Sequence, residues 1–244
     1  MKKWINDPED LKDQKIQLAV GNILEITGEY NKRWGSNITS VKILNPVEYK
    51  QEDFTQSIAR DKDELINILS ETISSIQDNK LKKLLELIFS NDEIKSKFYM
   101  CPSSIKNHHA YKHGNLEHTV GMLKIFQQLE KYYNRDTNLN VDLIYTGIIL
   151  HDIGKIFEYK LYNGVPRYIE GSELQGHLIL GAQLISNYMN KIENFPKDLK
   201  NRIRHLILSH HGKKEWDSVV EPQIAEADIL HLLDMLDSRF KLNY

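Results

Sequence analysis

Cysteine is nearly missing: Cys101 is the sole one in 244 residues, so no disulfide can form within the chain and an apolar core has to carry the fold. Long apolar runs are lacking as well. The longest, around Thr146–Leu150 and Leu178–Ile185, fall far short of the ~20 residues a membrane span needs, and no cleavable apolar leader is recognisable. These absences lead us to expect a reducing cytoplasm and no membrane role. Nor is there an excess of positive charge. With 32 lysines and arginines against 34 acidic residues the net charge is −2, so no whole-molecule field draws in polyanions and any nucleic-acid contact has to be local.

What remains is an ordinary globular composition, 41% hydrophobic and 27% charged, in a chain long enough to bury a large core. Its patterning changes once. Lys15–Thr27 and Asn37–Leu44 are rich in β-branched residues and are punctuated by Gly28, Gly35 and the Asn45-Pro46 step, which predicts two or three short strands. From Asp61 the period becomes helical: Leu65, Ile68, Leu69, Ile73 and Ile76 form one stripe, and Leu81, Leu84, Leu85 and Ile88 another. Further helices are expected near 115–133, 141–153, 173–190, 197–211 and 223–242. Asn140 suits an N-cap, Ser172-Glu-Leu-Gln175 has the form of a capping box, Pro222 suits a first turn, and Gly154 and Gly212 are placed to end helices. Near 159–169 an Asn163-Gly164 pair signals a type I′ hairpin whose second arm, with Pro166, is an edge. The expectation is a mainly α protein: a small β-rich segment over residues 1–58 and a helical body over 59–244.

The chemistry lies in an ordered set of side chains: His118, the pair His151-Asp152, His177, His210 followed by His211, and Asp234. A lone histidine on an apolar helix face is ordinarily a hydrogen-bonded core residue. Here several helices end or pass with imidazoles on their apolar stripes, as His118 does with Met122 and Ile125, and His210 with Ile203 and Leu206. Burying so many titratable groups is costly unless an ion compensates them. Mixed imidazole and carboxylate ligands in this number suffice for two divalent ions, and the chemistry they imply is metal-assisted hydrolysis.

The ordered set resembles the HD-domain superfamily of metal-dependent phosphohydrolases. The match runs through Glu117-His118-Thr119, His151-Asp152-Ile-Gly-Lys155, Gly176-His177, Ser209-His-His-Gly212 and Leu232-Leu-Asp234-Met-Leu-Asp237, over roughly residues 60–244. The dipeptide alone is trivial, whereas the ordered set is specific. The resemblance implies that His118, His151, Asp152 and Asp234 hold one metal and that Asp152 bridges to a second held by His177 and His210. Asp237, one turn beyond Asp234, is the alternative last ligand. It further implies that Lys155 contacts a phosphate oxygen, although a cation at a helix end has a role of its own. His211 is a proton donor, a second-metal ligand or a supporting hydrogen-bond partner. His108, His109 and His113 lie in a polar loop that could wall a cleft, with His113 the catalytic candidate; His205 and His231 are read as structural or exposed. By resemblance manganese is favoured over iron, cobalt, nickel or magnesium.

Within that superfamily the stretches Lys106-Asn-His-His-Ala-Tyr, Gly114-Asn-Leu-Glu-His-Thr, Leu174-Gln-Gly-His177 and Ser209-His-His-Gly-Lys are most similar to YhaM-type 3′→5′ exoribonucleases. The similarity implies single-stranded RNA, with single-stranded DNA a further candidate, as substrate. It also implies an N-terminal OB-fold, which residues 1–58 have room to supply only in truncated form. Tyr30-Asn-Lys-Arg-Trp34 and the hairpin residues Tyr162, Arg167 and Tyr168 combine rings with charge and are the candidate substrate contacts. Two other readings stay open: hydrolysis of a nucleoside monophosphate or cyclic nucleotide, and a non-catalytic regulatory protein that binds metal or nucleotide. A homo-oligomer is compatible with all of them.

Overall fold

The computed structural model describes residues 21–33, 35–133 and 138–241. Internal contacts separate them into two units, one drawn from Met1–Gln56 with Tyr162–Val165, the other from Ser57–Leu161 with Pro166–Tyr244.

In the first unit, β1 (Leu24–Asn31) pairs antiparallel with β2 (Gly35–Ile43), Leu24 opposite Ile43 and Asn31 opposite Gly35. The expected strand within Lys15–Thr27 overlaps β1 only in part, and its residues 15–20 lie outside the described residues, as does Trp34 of the Tyr30–Trp34 segment. Gly28 does not punctuate β1: it sits inside the strand, where the register shifts between Thr27 and Gly28, an irregularity that a strand absorbs without ending.

The second unit is helical: α1 (Lys62–Ser75), α2 (Asn79–Phe89), α3 (Asp92–Met100), α4 (Gly114–Tyr133), α5 (Val141–Leu150), α6 (Lys155–Glu158), α7 (Gly176–Met189), α8 (Lys197–Ser209) and α9 (Ala225–Phe240). Side-chain caps start several of them. Asp61 accepts from the Asp63 amide, Asp78 from those of Lys80 and Leu81, and Asn140 from that of Leu143 at 2.9 Å. Helix α3, which sequence periodicity did not reveal, buries only Ile94 and Phe98.

Two expected helix starts differ. Ser172-Glu-Leu-Gln175 is no capping box; Ser172–Leu174 forms a 3-10 turn, the Ser172 hydroxyl donates to the Glu158 carbonyl at 3.0 Å, and α7 begins only at Gly176. Pro222 lies ahead of α9, which starts at Ala225 after an extended Ile224. In both cases a tertiary or extended backbone partner overrides the local signal.

Between α6 and α7, β3 (Tyr159–Tyr162) and β4 (Val165–Tyr168) form the expected hairpin. Asn163 and Gly164 have φ of 49° and 78°, the left-handed pair that a type I′ turn requires.

Helix α5 is buried at every position from Leu143 to Leu150 and packs against α2, α4, α8 and α9. A helix apolar all round belongs in the middle of a bundle. Its C-terminal end is therefore delivered to the interior. No described helix is long and apolar enough to cross a membrane.

Candidate metal centre

Five elements bring the ordered set together. His118 comes from α4, His151 and Asp152 from the turn that closes α5, His177 from the start of α7, His210 and His211 from the end of α8, and Asp234 from α9. The predicted helix 141–153 stops at Leu150. Beyond it, the Ile153 amide donates to the Leu150 carbonyl at 3.1 Å and that of Lys155 to Asp152 at 3.0 Å, a tightened turn that holds His151 and Asp152.

Gly154 does not end a helix by a left-handed turn, since its φ is −64°. Its role is close approach: a Cβ there would lie 1.9 Å from the His177 carbonyl oxygen and 2.6 Å from the Gly181 nitrogen, so α7 reaches the Asp152 turn only because that side chain is missing. Gly212 does end α8 with φ of 83°, and a Cβ on it would meet the His231 ring at 2.4 Å.

Each histidine is anchored by Nδ1. His118 Nδ1 faces Asp237 Oδ2 at 2.7 Å and His177 Nδ1 faces Glu158 Oε2 at 2.8 Å. His151, His210 and His211 direct Nδ1 at the carbonyls of Ile148, Ile207 and Trp216, at 2.9, 2.7 and 3.0 Å. An acceptor at Nδ1 draws the ring proton there and leaves the Nε2 lone pair free for a cation. The Nε2 atoms converge: 3.3 Å separates those of His118 and His151, and 3.3 Å those of His177 and His211.

Asp152 lies between these pairs. Its Oδ2 is 3.1 Å from His151 Nε2 and 3.8 Å from His118 Nε2, while Oδ1 is 3.6 Å from the Nε2 atoms of both His177 and His210. Oδ1 is buried and has no hydrogen-bond partner. Buried carboxylate oxygens are rarely left so, and the surrounding lone pairs cannot satisfy it. A divalent cation can satisfy both, so the donor set fits the metal that an HD domain implies.

The two candidate aspartates are on opposite edges of one ring. Asp234 Oδ1 is 3.1 Å from His118 Nε2, on the inner side, whereas Asp237 holds the outer Nδ1. Burial pushes His118 down, but the flanking carboxylates of Asp234 and Asp237 more than offset it, and its pKa is raised to about 9. That position calls for a positive charge, whether proton or metal. Burial also lowers His211, to about 3, helped by His210 and His177, so this ring is neutral near pH 7. Lys155 Nζ donates to Asp152 Oδ2 at 2.5 Å.

A cavity of about 390 Å³ opens beside Asp152, lined by Lys155, Asp234, His108, His211, His231, Trp216, Met235, Ser238 and Arg239. Lys155 and His211 both line it. His113 does not line it: Nδ1 of that residue is held by the Tyr99 carbonyl at 2.6 Å, and His108 is the loop histidine on the cavity wall. Arg167 and Tyr168 do not line it either, and Tyr168 packs edge-on against Tyr159 at 5.4 Å; Tyr162 falls in the first unit. His205 accepts the Gln223 amide at 2.9 Å, a structural contact as read, whereas His231 lines the cavity.

Sequence reasoning passed over Glu158 and left Asp237 as an alternative ligand. It also missed Trp216 and Arg239 on the cavity wall. The one signal for Trp216 was an aromatic residue in a loop five positions after His211.

Comparison with known proteins gives a consistent picture. The HD domain family matches residues 115–239. The chain is 34% identical over 235 residues to the 3′-5′ exoribonuclease YhaM of Oceanobacillus iheyensis, covering 95% of this chain and 72% of that protein. It is 28% identical over 242 residues to the protein of that name from a Geobacillus species, and 27% over 235 residues to that from Bacillus subtilis, covering 72% and 73% of those chains. No solved structure gave a match.

Proposed function

The chain belongs to the HD-domain family, and from that premise we propose that it is a metal-dependent phosphodiesterase removing nucleotides from the 3′ end of single-stranded RNA. The observation that carries the reading is Asp152, a buried carboxylate between two sets of inward-facing imidazoles with one oxygen unpartnered. His118, His151, Asp152 and Asp234 would hold one divalent ion, and Asp152 with His177 and His210 a second. Ions bound there supply Lewis-acid chemistry for in-line hydrolysis of a phosphodiester.

The chain's own groups complete the site. With His211 Nδ1–H donating a hydrogen bond to the Trp216 carbonyl, Nε2 of the neutral ring offers a lone pair, which suits a ligand of the second ion and not a proton donor. Lys155 balances Asp152 and presents positive charge to a non-bridging phosphate oxygen on the cavity side. Mixed nitrogen and oxygen ligands without thiolate suit manganese. Cys101 is buried, its thiol pushed up by that burial, and takes no part. We assign catalysis to residues 59–244, RNA holding to residues 1–58, and the cytoplasm as the working compartment.

The relatives named as exoribonucleases support RNA as substrate. One observation favours a second reading, a free nucleotide as substrate: a cavity of about 390 Å³ has the scale of one nucleotide. A manganese time course with 5′-labelled single-stranded RNA separates them. We expect a ladder shortening from the 3′ end. Intact RNA, with turnover of a nucleoside monophosphate or cyclic nucleotide, would replace the first reading by the second.

A further inference from the structure

Part of the cavity wall lies outside the proposed metal ligands. It carries an indole and an imidazole, Trp216 and His231, whose rings are 5.8 Å apart and inclined by 31°, together with Met235, Ser238 and Arg239. Trp216 is 46% exposed, so part of the indole is open to a ligand in the cavity.

The backbone that carries this ring is held by hydrogen bonds. The Trp216 amide donates to the Lys213 carbonyl at 3.0 Å, its carbonyl accepts from His211 Nδ1, and the loop is closed by the Ser218 amide on Lys213 at 3.2 Å and the Val219 amide on Leu208 at 3.1 Å. His231 is held by the His210 carbonyl at 2.9 Å, and only the bare Gly212 lets it come so near. Lys213 Nζ stands 5.1 Å from the indole centroid, but it is an exposed, flexible side chain that a ligand can displace. Arg239 is exposed and has no carboxylate partner among the described residues.

An exposed ring on a braced loop, an exposed guanidinium and a cleft of about 390 Å³ beside the candidate metal ligands together match one nucleotide unit: a planar base, an anionic phosphate and a suitable size. We propose that Trp216 is the stacking platform for the base of the 3′-terminal nucleotide, which sets its phosphate toward Lys155 and Asp152. This rests on the phosphodiesterase reading above and adds to it the residue that recognises the base. Stacking is tolerant of sequence because every base has a π-face, so the platform selects for the presence of a base and not for its identity.

Two measurements test it. In the first, kcat/KM is compared for RNA ending in adenosine and RNA ending in an abasic ribose. The intact enzyme should prefer the adenosine end by roughly tenfold to a hundredfold, the usual worth of one stacked base. Trp216→Ala should bring that ratio near one, and Trp216→Phe should restore most of it. If Trp216→Ala slows both substrates alike and keeps the ratio, Trp216 is structural and the proposal is wrong.

The second measurement does not need turnover. In the 244-residue chain carrying Trp4→Phe and Trp34→Phe, Trp216 is the only indole, and adenosine 5′-monophosphate should quench its fluorescence saturably while ribose 5-phosphate does not. Equal or absent quenching by the two compounds overturns the platform. RNA left intact while the quenching selects the base would instead sink the exoribonuclease reading and leave the platform standing.

Discussion

His118 and Asp237 meet on the side of the imidazole that faces away from Asp152, Nδ1 to Oδ2 at 2.7 Å, so the carboxylate orients the ring from the side away from the proposed metal position. Asp237 is held in turn by His109 Nε2 at 2.9 Å. Asp237→Asn keeps an acceptor but removes the charge that makes the ring basic. We expect metal affinity to fall about 10- to 100-fold with the fold unchanged, measured by calorimetric titration with manganese. Unaltered affinity would mean that His118 needs no orienting partner.

A second prediction concerns the approach of α7. Gly154→Ala puts a methyl group within 1.9 Å of the His177 carbonyl, against backbone that cannot swing aside. The chain should lose about 1–3 kcal/mol in urea unfolding, as overpacked sites do, and His177 should shift away from Asp152. A fully stable variant would show that the turn can move without harm.

These two cases mark what the sequence made legible. The order of the candidate ligands is visible in the sequence because each histidine or aspartate sits on a local helical stripe or beside a helix-ending signal, as His210 does before Gly212. The bundle could be read for the same reason, except α3, whose two buried residues, Ile94 and Phe98, are too few to set a period. The anchors were not legible. Asp237 lies 119 positions from His118, and Glu158 lies 19 from His177 across a hairpin, so only the packed helices bring them together. The hairpin's rings and charges look suitable in sequence, whereas the cavity beside Asp152 is lined from α9, the loop after α8 and His108, and Tyr168 packs against Tyr159.

Stability should also depend on pH through Glu226 at the start of α9. Burial raises its pKa, but the Asn140 amide at 3.0 Å and Arg202 at 2.9 Å outweigh that and hold the carboxyl below its ordinary range. A carboxylate with a depressed folded pKa stabilises above its unfolded pKa and loses that contribution as pH falls through the folded value. Glu226→Gln should therefore cost about 1.5 kcal/mol at pH 7, the scale of one charge-assisted hydrogen bond, and the gap to the parent should close below about pH 4. Thermal unfolding of both chains across that range measures it. A gap independent of pH would contradict the role given to the charge.

The central claim is that one carboxylate serves two ions, and the direct measurement is the metal content of Asp152→Ala after loading with manganese and gel filtration, beside the parent chain and with helicity followed by circular dichroism. We predict two ions in the parent, none retained in the variant, and unchanged helicity. A folded variant that still carries two ions would contradict the bridging role of Asp152 and with it the metal centre described above.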